Sequence, residues 1–380
     1  MDFSLDEEQQ LIVATFRRFA DEARKLGQHA DESDDSGASA ARTALTKAAD
    51  LGVGIDAIPE AAGGMLSGAY SHTIRTLRGL ELGRGCAGVA ALLESNVEPA
   101  LAAARWASPE VAAALHGALA GGALATTTHD ALGRLTITTA ASGDLTLDGT
   151  LGPVPALADA AHIVISARDA AGPVVILAPS SAFTITPVFP SGWRAARWAR
   201  LDAKTVRLPA AAVLTRDPAA QHELLSWYKL SLAARAIGVA DFAMQCSAGY
   251  SQERVQFNQP IGTFESLARM QDHSETAVLA GRFLVLRAAA ALDASAGAAP
   301  AEATELCSRA RDFAAGVVRR ASIDAVQIYG GYGFVRDFPV EKLMRDARAF
   351  EVLAGDEALT RVLARRQDAA TYSPAPLARS

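Results

Sequence analysis

Aromatic residues are scarce in this 380-residue chain: 4 Trp, 6 Tyr and 13 Phe make up 6% of it. Its apolar half is instead rich in Ala, in runs such as 102–104 and 288–291. Ala is the strongest helix former, so helices should dominate. Cysteine is scarcer still. Cys86, Cys246 and Cys307 are odd in number and far apart. That excludes a disulfide framework and a cysteine metal site, and points to a reducing cytoplasm where the three pack as small apolar groups. There is no excess of basic charge, with 36 Lys and Arg against 42 Asp and Glu, so no nucleic-acid surface is expected. No apolar run is long enough to cross a bilayer. The acidic start, Met1 to Glu8, does not read as a leader peptide.

What is present falls into three stretches. Residues 1–118 read as a helical domain: Phe3, Leu11, Ile12, Ala14, Phe16 and Phe19 recur at helical spacing. Pro59-Glu60-Ala61-Ala62-Gly63-Gly64 reads as a loop, and a further helix is expected from about Pro99 to Trp106. Residues 119–221 change character. Thr136–Ala140, Leu145–Gly149, His162–Ser166, Val174–Leu177 and Phe183–Thr186 are short β-branched runs, with a turn expected at Gly149 and a connector from Thr215 to Gln221. Strands at this spacing without intervening helices predict an antiparallel barrel or sandwich. Residues 222–370 return to long helical segments, Ser226–Glu253, Glu265–Ala294, Glu302–Tyr329 and Pro339–Arg366, as in an antiparallel four-helix bundle. Residues 371–380 read as a tail. The fold class is α+β, mainly α.

Three motifs in the last stretch carry chemistry. Arg254-Val255-Gln256-Phe257-Asn258-Gln259-Pro260-Ile261 places a guanidinium where it can grip phosphate oxygens through paired charged hydrogen bonds. Gln327-Ile328-Tyr329-Gly330-Gly331-Tyr332-Gly333 has two glycines whose missing Cβ lets backbone N–H groups approach an anion. The third is Arg345-Asp346-Ala347, followed by Ala354-Gly355-Asp356. Taken singly, an Arg at a helix end is ordinarily a solvated charge, and Gly-Gly after a helix an ordinary C-cap. Together and in this order they resemble the acyl-CoA dehydrogenase family, which writes them R-x-Q-F-G-x-P-I, Q-x-x-G-G-x-G and R-D-A followed by E-G-T. Pro59-Glu60 with Gly63-Gly64 is similar to that family's P-E-x-x-G-G loop. The order helical domain, β domain, helical bundle is also the family's.

The resemblance implies FAD as cofactor and α,β-dehydrogenation of an acyl-CoA thioester, with electrons passed to an electron-transfer flavoprotein. It implies that Arg254, Gln256, Phe257, Gln327, Gly330 and Gly331 hold the adenosine and pyrophosphate end of FAD seated in a neighbouring subunit. It also exposes two losses. The Glu that removes the α-proton is replaced by Ala354, whose methyl group cannot accept a proton. Relatives lacking that Glu sometimes carry it on the first bundle helix, and the matching position here is Tyr228, followed by Lys229. A phenol is a poor base near neutrality. Glu223, Glu351 and Glu357 lie near these positions and read as surface charges. The family's flavin-gripping residues of the β domain are also missing: 125–133 has hydroxyls at Thr126, Thr127 and Thr128 but no Glu-Pro, and Pro153 and Pro155 remove two N–H donors.

A chain that keeps the parts serving a neighbour's FAD and lacks those serving its own suits one half of a heteromeric α2β2 enzyme. Bulky acyl-CoA thioesters, as in steroid side-chain catabolism, are then the implied substrates. A complete homo-oligomeric dehydrogenase with an unconventional base, and a flavin-free structural or regulatory subunit, are the alternatives. His129, His222 and His273 lack Cys or carboxylate at metal-ligand spacing, so no metal is expected. Arg235, in the apolar run from Leu232 to Ala243, has no role legible in the sequence.

Overall fold

In the computed structural model, residues 4–33, 35, 37–295, 301–351 and 353 are described. The first six helices are α1 (Glu7–Glu32), α2 (Ala38–Ala49), α3 (His72–Gly85), α4 (Ala87–Leu93), α5 (Val97–Trp106) and α6 (Pro109–Ala120). Asp6 starts α1 through a capping box: its carboxylate accepts the Gln9 N–H at 2.8 Å while the Gln9 side chain accepts the Asp6 N–H. Ser108 followed by Pro109 starts α6 in the same spirit.

Two four-stranded sheets follow. Strands β1 (Ala125–His129), β4 (His162–Asp169), β5 (Gly172–Pro179) and β8 (Val213–Thr215) lie in the order β1-β4-β5-β8. Strands β2 (Leu135–Thr139), β3 (Leu145–Val154), β7 (Ala199–Leu208) and β6 (Thr184–Pro187) lie in the order β2-β3-β7-β6. All pairs are antiparallel except β1 with β4, which run parallel with Ala125 opposite His162. Leu147, Leu151, Ile163, Ile165, Ile176 and Leu201 fill the core between the sheets. The turn expected at Gly149 is not there. Strand β3 runs on to Val154, and Gly149, at φ 130°, instead takes up a register shift against β7.

Helix α7 (Pro218–Glu253) crosses the middle of the molecule and packs on α3, α8 and α9. Its first turn, Pro218 to Gln221, falls in the expected connector. Asp217, whose carboxylate accepts the Ala219 N–H at 2.9 Å, and Pro218 in the first turn extend it back. A two-residue hairpin joins β9 (Val255–Gln256) to β10 (Gln259–Pro260). Then come α8 (Glu265–Asp293), α9 (Ala301–Tyr329) and a last helix, α10, over 339–351. The rest of the segment expected as helix to Arg366 lies outside the described residues, as do Ala354, Glu357 and the tail.

Arg345-Asp346 is a clasp. Asp346 is buried, accepts the Trp193 N–H at 2.9 Å and pairs with Lys342 at 2.6 Å. Arg345 pairs with Asp31 of α1 and Glu341, both at 2.6 Å. The motif therefore ties α10 to α1 and to the loop between β6 and β7.

Helices α3 and α7 approach so closely that a Cβ on Gly238 would fall inside the Leu80 carbonyl oxygen and within 3.0 Å of the Gly83 Cα. Both obstacles are backbone and cannot rotate away. Gly238→Ala should therefore cost about 2–3 kcal/mol by overpacking, read as a lower urea midpoint, whereas Gly249→Ala, with nothing nearby, should not lower it.

Candidate functional site

A cavity of about 310 Å³ lies between the β domain and helix α7. Thr127, Thr128 and His129 reach it from β1, Leu151 to Pro155 from β3, and Gln221, Tyr228 and Lys229 from α7. Its volume is at the lower end for small-molecule sites. Both prolines that replace donors, Pro153 and Pro155, line it. So does Tyr228, the alternative base position, whose ring lies 5.0 Å from that of His129.

The charge in this cavity is lopsided. Arg134, Arg168, Lys229 and Arg311 line it, with Lys229 donating to Ser308 Oγ at 2.9 Å and Arg311 pairing with Asp312 at 2.7 Å. Among the described lining residues the one carboxylate is Asp130. Its two oxygens accept the Arg134 and Leu135 N–H groups, each at 2.8 Å, which fixes the turn out of β1. It holds backbone, and is not positioned as a free base. Thr127 Oγ1 and His129 Nε2 are buried at this cavity without hydrogen-bond partners. Burial, with the Lys229 charge adding to it, lowers the His129 imidazole to about 3. Of these groups, Arg311 had no signal in the sequence; it arrives from α9 only because α9 packs along α7.

The other acidic candidates are engaged. Glu223, expected as a surface charge, is buried and pairs with Arg105 at 2.9 Å; burial raises its carboxyl. Packing of α7 on α5 puts it inside. Glu351 pairs with Arg348 at 2.8 Å.

A second concavity, an open groove of about 500 Å³, lies at the far end of α7. It brings together Arg254, Gln256, Gly330 and Gly331 with Tyr250, Tyr329 and Tyr332. Arg254 lies 5.7 Å from the Tyr332 ring centroid, and Gly330 turns the chain at φ 59°. Gln327 and Phe257 do not line the groove. Gln327 is exposed on α9. Phe257 sits at the hairpin tip, 88% exposed, with φ 52°, beside Asn258 at φ 63°. Asn is at ease there, but Phe is not, so an exposed ring is held in a costly conformation. Arg254 lies 25 residues beyond Lys229, about 37 Å at the rise of an α-helix.

Beyond the cavity, Arg235 finds its partners. It faces Glu94 at 3.5 Å and Ser231, while Arg78 pairs with Glu94 at 2.9 Å and Asp56 at 2.7 Å, and Arg75 with Glu98 at 2.7 Å. Among the described residues no helix is long and apolar enough to cross a membrane, and no His, Cys and carboxylate cluster suits a metal ion. The cysteines are free, Cys86 and Cys307 buried and Cys246 partly so.

Comparison with known proteins gives a consistent result. The family models for the acyl-CoA dehydrogenase N-terminal domain and C-terminal domain match residues 6–123 and 218–367. "Probable acyl-CoA dehydrogenase YngJ" of Bacillus subtilis is 26% identical over 97% of this chain and 99% of its own length. Another Bacillus subtilis acyl-CoA dehydrogenase is 33% identical over 36% of the chain, but that match spans only 34% of the relative. Among solved structures, the ChsE4-ChsE5 complex from Mycobacterium tuberculosis contains a chain of like fold, with a TM-score of 0.80, 23% identity, and coverage of 99% of this chain and 100% of that one.

His129 and His72, the latter also buried and lowered to about 4 by burial, stay neutral in the folded protein. The unfolded chain takes up those protons near pH 6.5. Their contribution is therefore complete above about pH 6.5 and is lost as pH falls toward the folded values, by up to about 1.4 kcal/mol per pH unit for each group. Urea midpoints should drop between pH 7 and pH 5, and His129→Gln should flatten that slope.

Proposed function

The chain belongs to the acyl-CoA dehydrogenase family, and we propose that it is the half of a heteromeric enzyme that carries no base and completes its partner's FAD site. One observation carries the cofactor-sharing part of this reading, and the missing carboxylate at Ala354 the rest. The groove holding Arg254, Gln256, Gly330 and Gly331 is about 37 Å along α7 from the cavity that holds Tyr228, and the two share no lining residue. That separation exceeds the reach of one dinucleotide. A cofactor held by this groove has its reactive ring in another chain.

The groove's residues suit the adenosine and pyrophosphate end of FAD. Arg254 supplies a charged fork, open space lies beside Gly330 and Gly331, where an added Cβ would meet nothing within 4 Å, and Tyr332 offers a ring face. The exposed Phe257 ring reads as an insertion into the adjoining protomer. Gln327, exposed on α9 outside the groove, keeps the role that the family resemblance implies only as part of this proposal. When bound, FAD supplies the hydride acceptor for α,β-dehydrogenation of an acyl-CoA thioester, and its electrons leave to an electron-transfer flavoprotein.

The own cavity is poor in what a dehydrogenase needs. Its described carboxylate is spent on backbone N–H groups, and its β3 wall presents prolines. The usual base position, Ala354, lies outside the described residues and rests on sequence alone. The ChsE4-ChsE5 complex, which contains a chain of this fold, is an assembly of two different chains, and that supports a two-chain assembly here. The free cysteines fit the cytoplasm. A second reading, a self-sufficient chain using Tyr228 as base, draws on that residue's place in the cavity beside His129.

Co-expression with a homologous second subunit, followed by counting flavins per assembly, distinguishes these. The chain alone should be colourless and inactive; the mixed assembly should be yellow and oxidise an acyl-CoA. A yellow solo preparation that oxidises the thioester favours Tyr228, and absence of flavin in both favours a structural subunit. In the mixed assembly, Arg254→Ala should weaken FAD binding by about 10- to 100-fold, the range of a charge-assisted phosphate contact. The unfolding midpoint of the flavin-free chain should not move, because no bound cofactor then contributes to it.

A further inference from the structure

The geometry points to a charged inner wall that closes this chain's cavity to an apolar acyl tail: Glu94, Glu98 and Arg235, backed by Arg75 and Arg78, make the cavity's inner end a polar plug that sets which thioesters can enter. This rests on the acyl thioester of the preceding reading as ligand, but not on the absence of a base.

The outer cavity continues inward past Thr127, Pro155, Tyr228, Leu232 and Leu353, which line both it and a second, inner compartment. That compartment measures about 30 Å³, against about 310 Å³ outside. It is about a tenth of the outer space, room for a few ordered waters or a short stub of chain and not for a long acyl tail. Glu94, Ser95, Glu98 and Arg235 face it. All are buried, with Glu94 1% and Arg235 5% exposed.

The plug cannot move aside easily. Arg78 is shared between Glu94 and Asp56, Arg75 is held by Glu98 and by Ser231 Oγ at 3.2 Å, and Arg235 spans Ser231 and Glu94. Three guanidinium groups stand against three carboxylates. Withdrawing any member leaves an uncompensated buried charge, which is strongly unfavourable. Among the described residues, Ser95 Oγ at this compartment, and Arg75 Nε and Nη1 and Arg78 Nη2 behind it, are buried without a hydrogen-bond partner. Such atoms hold water, and a methylene chain in their place would deny it to them. Ion pairs of this kind are not needed to stabilise a core; apolar side chains of similar volume do so at least as well. Their effect is on what the space accepts. A ligand here keeps a short or polar inner end, and a bulky apolar acyl group is left to the partner's cavity.

The test is a chain-length series. Straight-chain acyl-CoA thioesters of increasing length are titrated calorimetrically against the purified full-length chain, and the flavin content of the same preparation is recorded. A tail buried in an apolar pocket tightens binding about fourfold per methylene. The plug predicts no such gain: the shortest thioester binds and affinity stays flat to the longest, and no detectable binding at any length overturns it. A steady fourfold gain per methylene overturns it. Arg235→Ala should open the compartment and produce a length-dependent gain over the first added methylenes, whereas Arg235→Lys should remain flat. If Arg235→Ala does not fold, the wild-type series still decides. The flavin count tests the subunit role separately, so a yellow chain with a flat series would sink that role and leave the plug standing.

Discussion

Burial of α7 along most of its length is the constraint on which the rest depends. The helix is buried on all sides over its central turns, from Leu230 to Ala240 with Arg235 included, as expected of a helix surrounded by protein rather than water. It can be surrounded only because glycine lets α3 come against it at backbone distance. That contact takes α3 and its arginines, Arg75 and Arg78, out of bulk water. Glu94 and Glu98, from the chain beside them, are the compensation. The ionic knot is thus a consequence of close helix packing, and the small inner compartment a consequence of the knot.

The same helix organises both concavities. Its N-terminal half faces β1 and β3 and makes one wall of the cavity, and its C-terminal end carries Arg254 into the hairpin groove. A rigid rod fixes their separation, so the distance that argues for two-chain cofactor binding is set by backbone geometry. The Arg345-Asp346 clasp plays a supporting part. Asp346 satisfies the Trp193 N–H where the loop between β6 and β7 turns left-handed, and so holds the β domain against α10.

Much of this was legible in the residues. The three-part order, the β-branched runs and the long helices could be read because periodicity and turn residues report local structure directly. The groove motif was legible because Arg254 and Gly330-Gly331 carry chemistry unusual enough to be recognised in order. The start of α7 was hidden because Asp217-Pro218 reads equally well as a turn. Gly149 was misjudged because glycine serves a bulge as readily as a turn. Glu223 looked like a solvated carboxylate because a sequence does not say which side of a helix another helix will cover.

Sequence alone determined the inventory: the helical, β and helical stretches in their order, the guanidinium and glycines of the groove, and the loss of a carboxylate at position 354. Tertiary structure decided what those residues meet. Arg235 was an unexplained charge in an apolar run until α3 and the turn before α5 supplied Glu94 and its neighbours, and the cavity's excess of positive charge arose only when α9 laid Arg311 beside Lys229. The physical reason is that charge and burial are properties of pairs. Their energies depend on distances between residues far apart in the chain, and packing alone sets those distances.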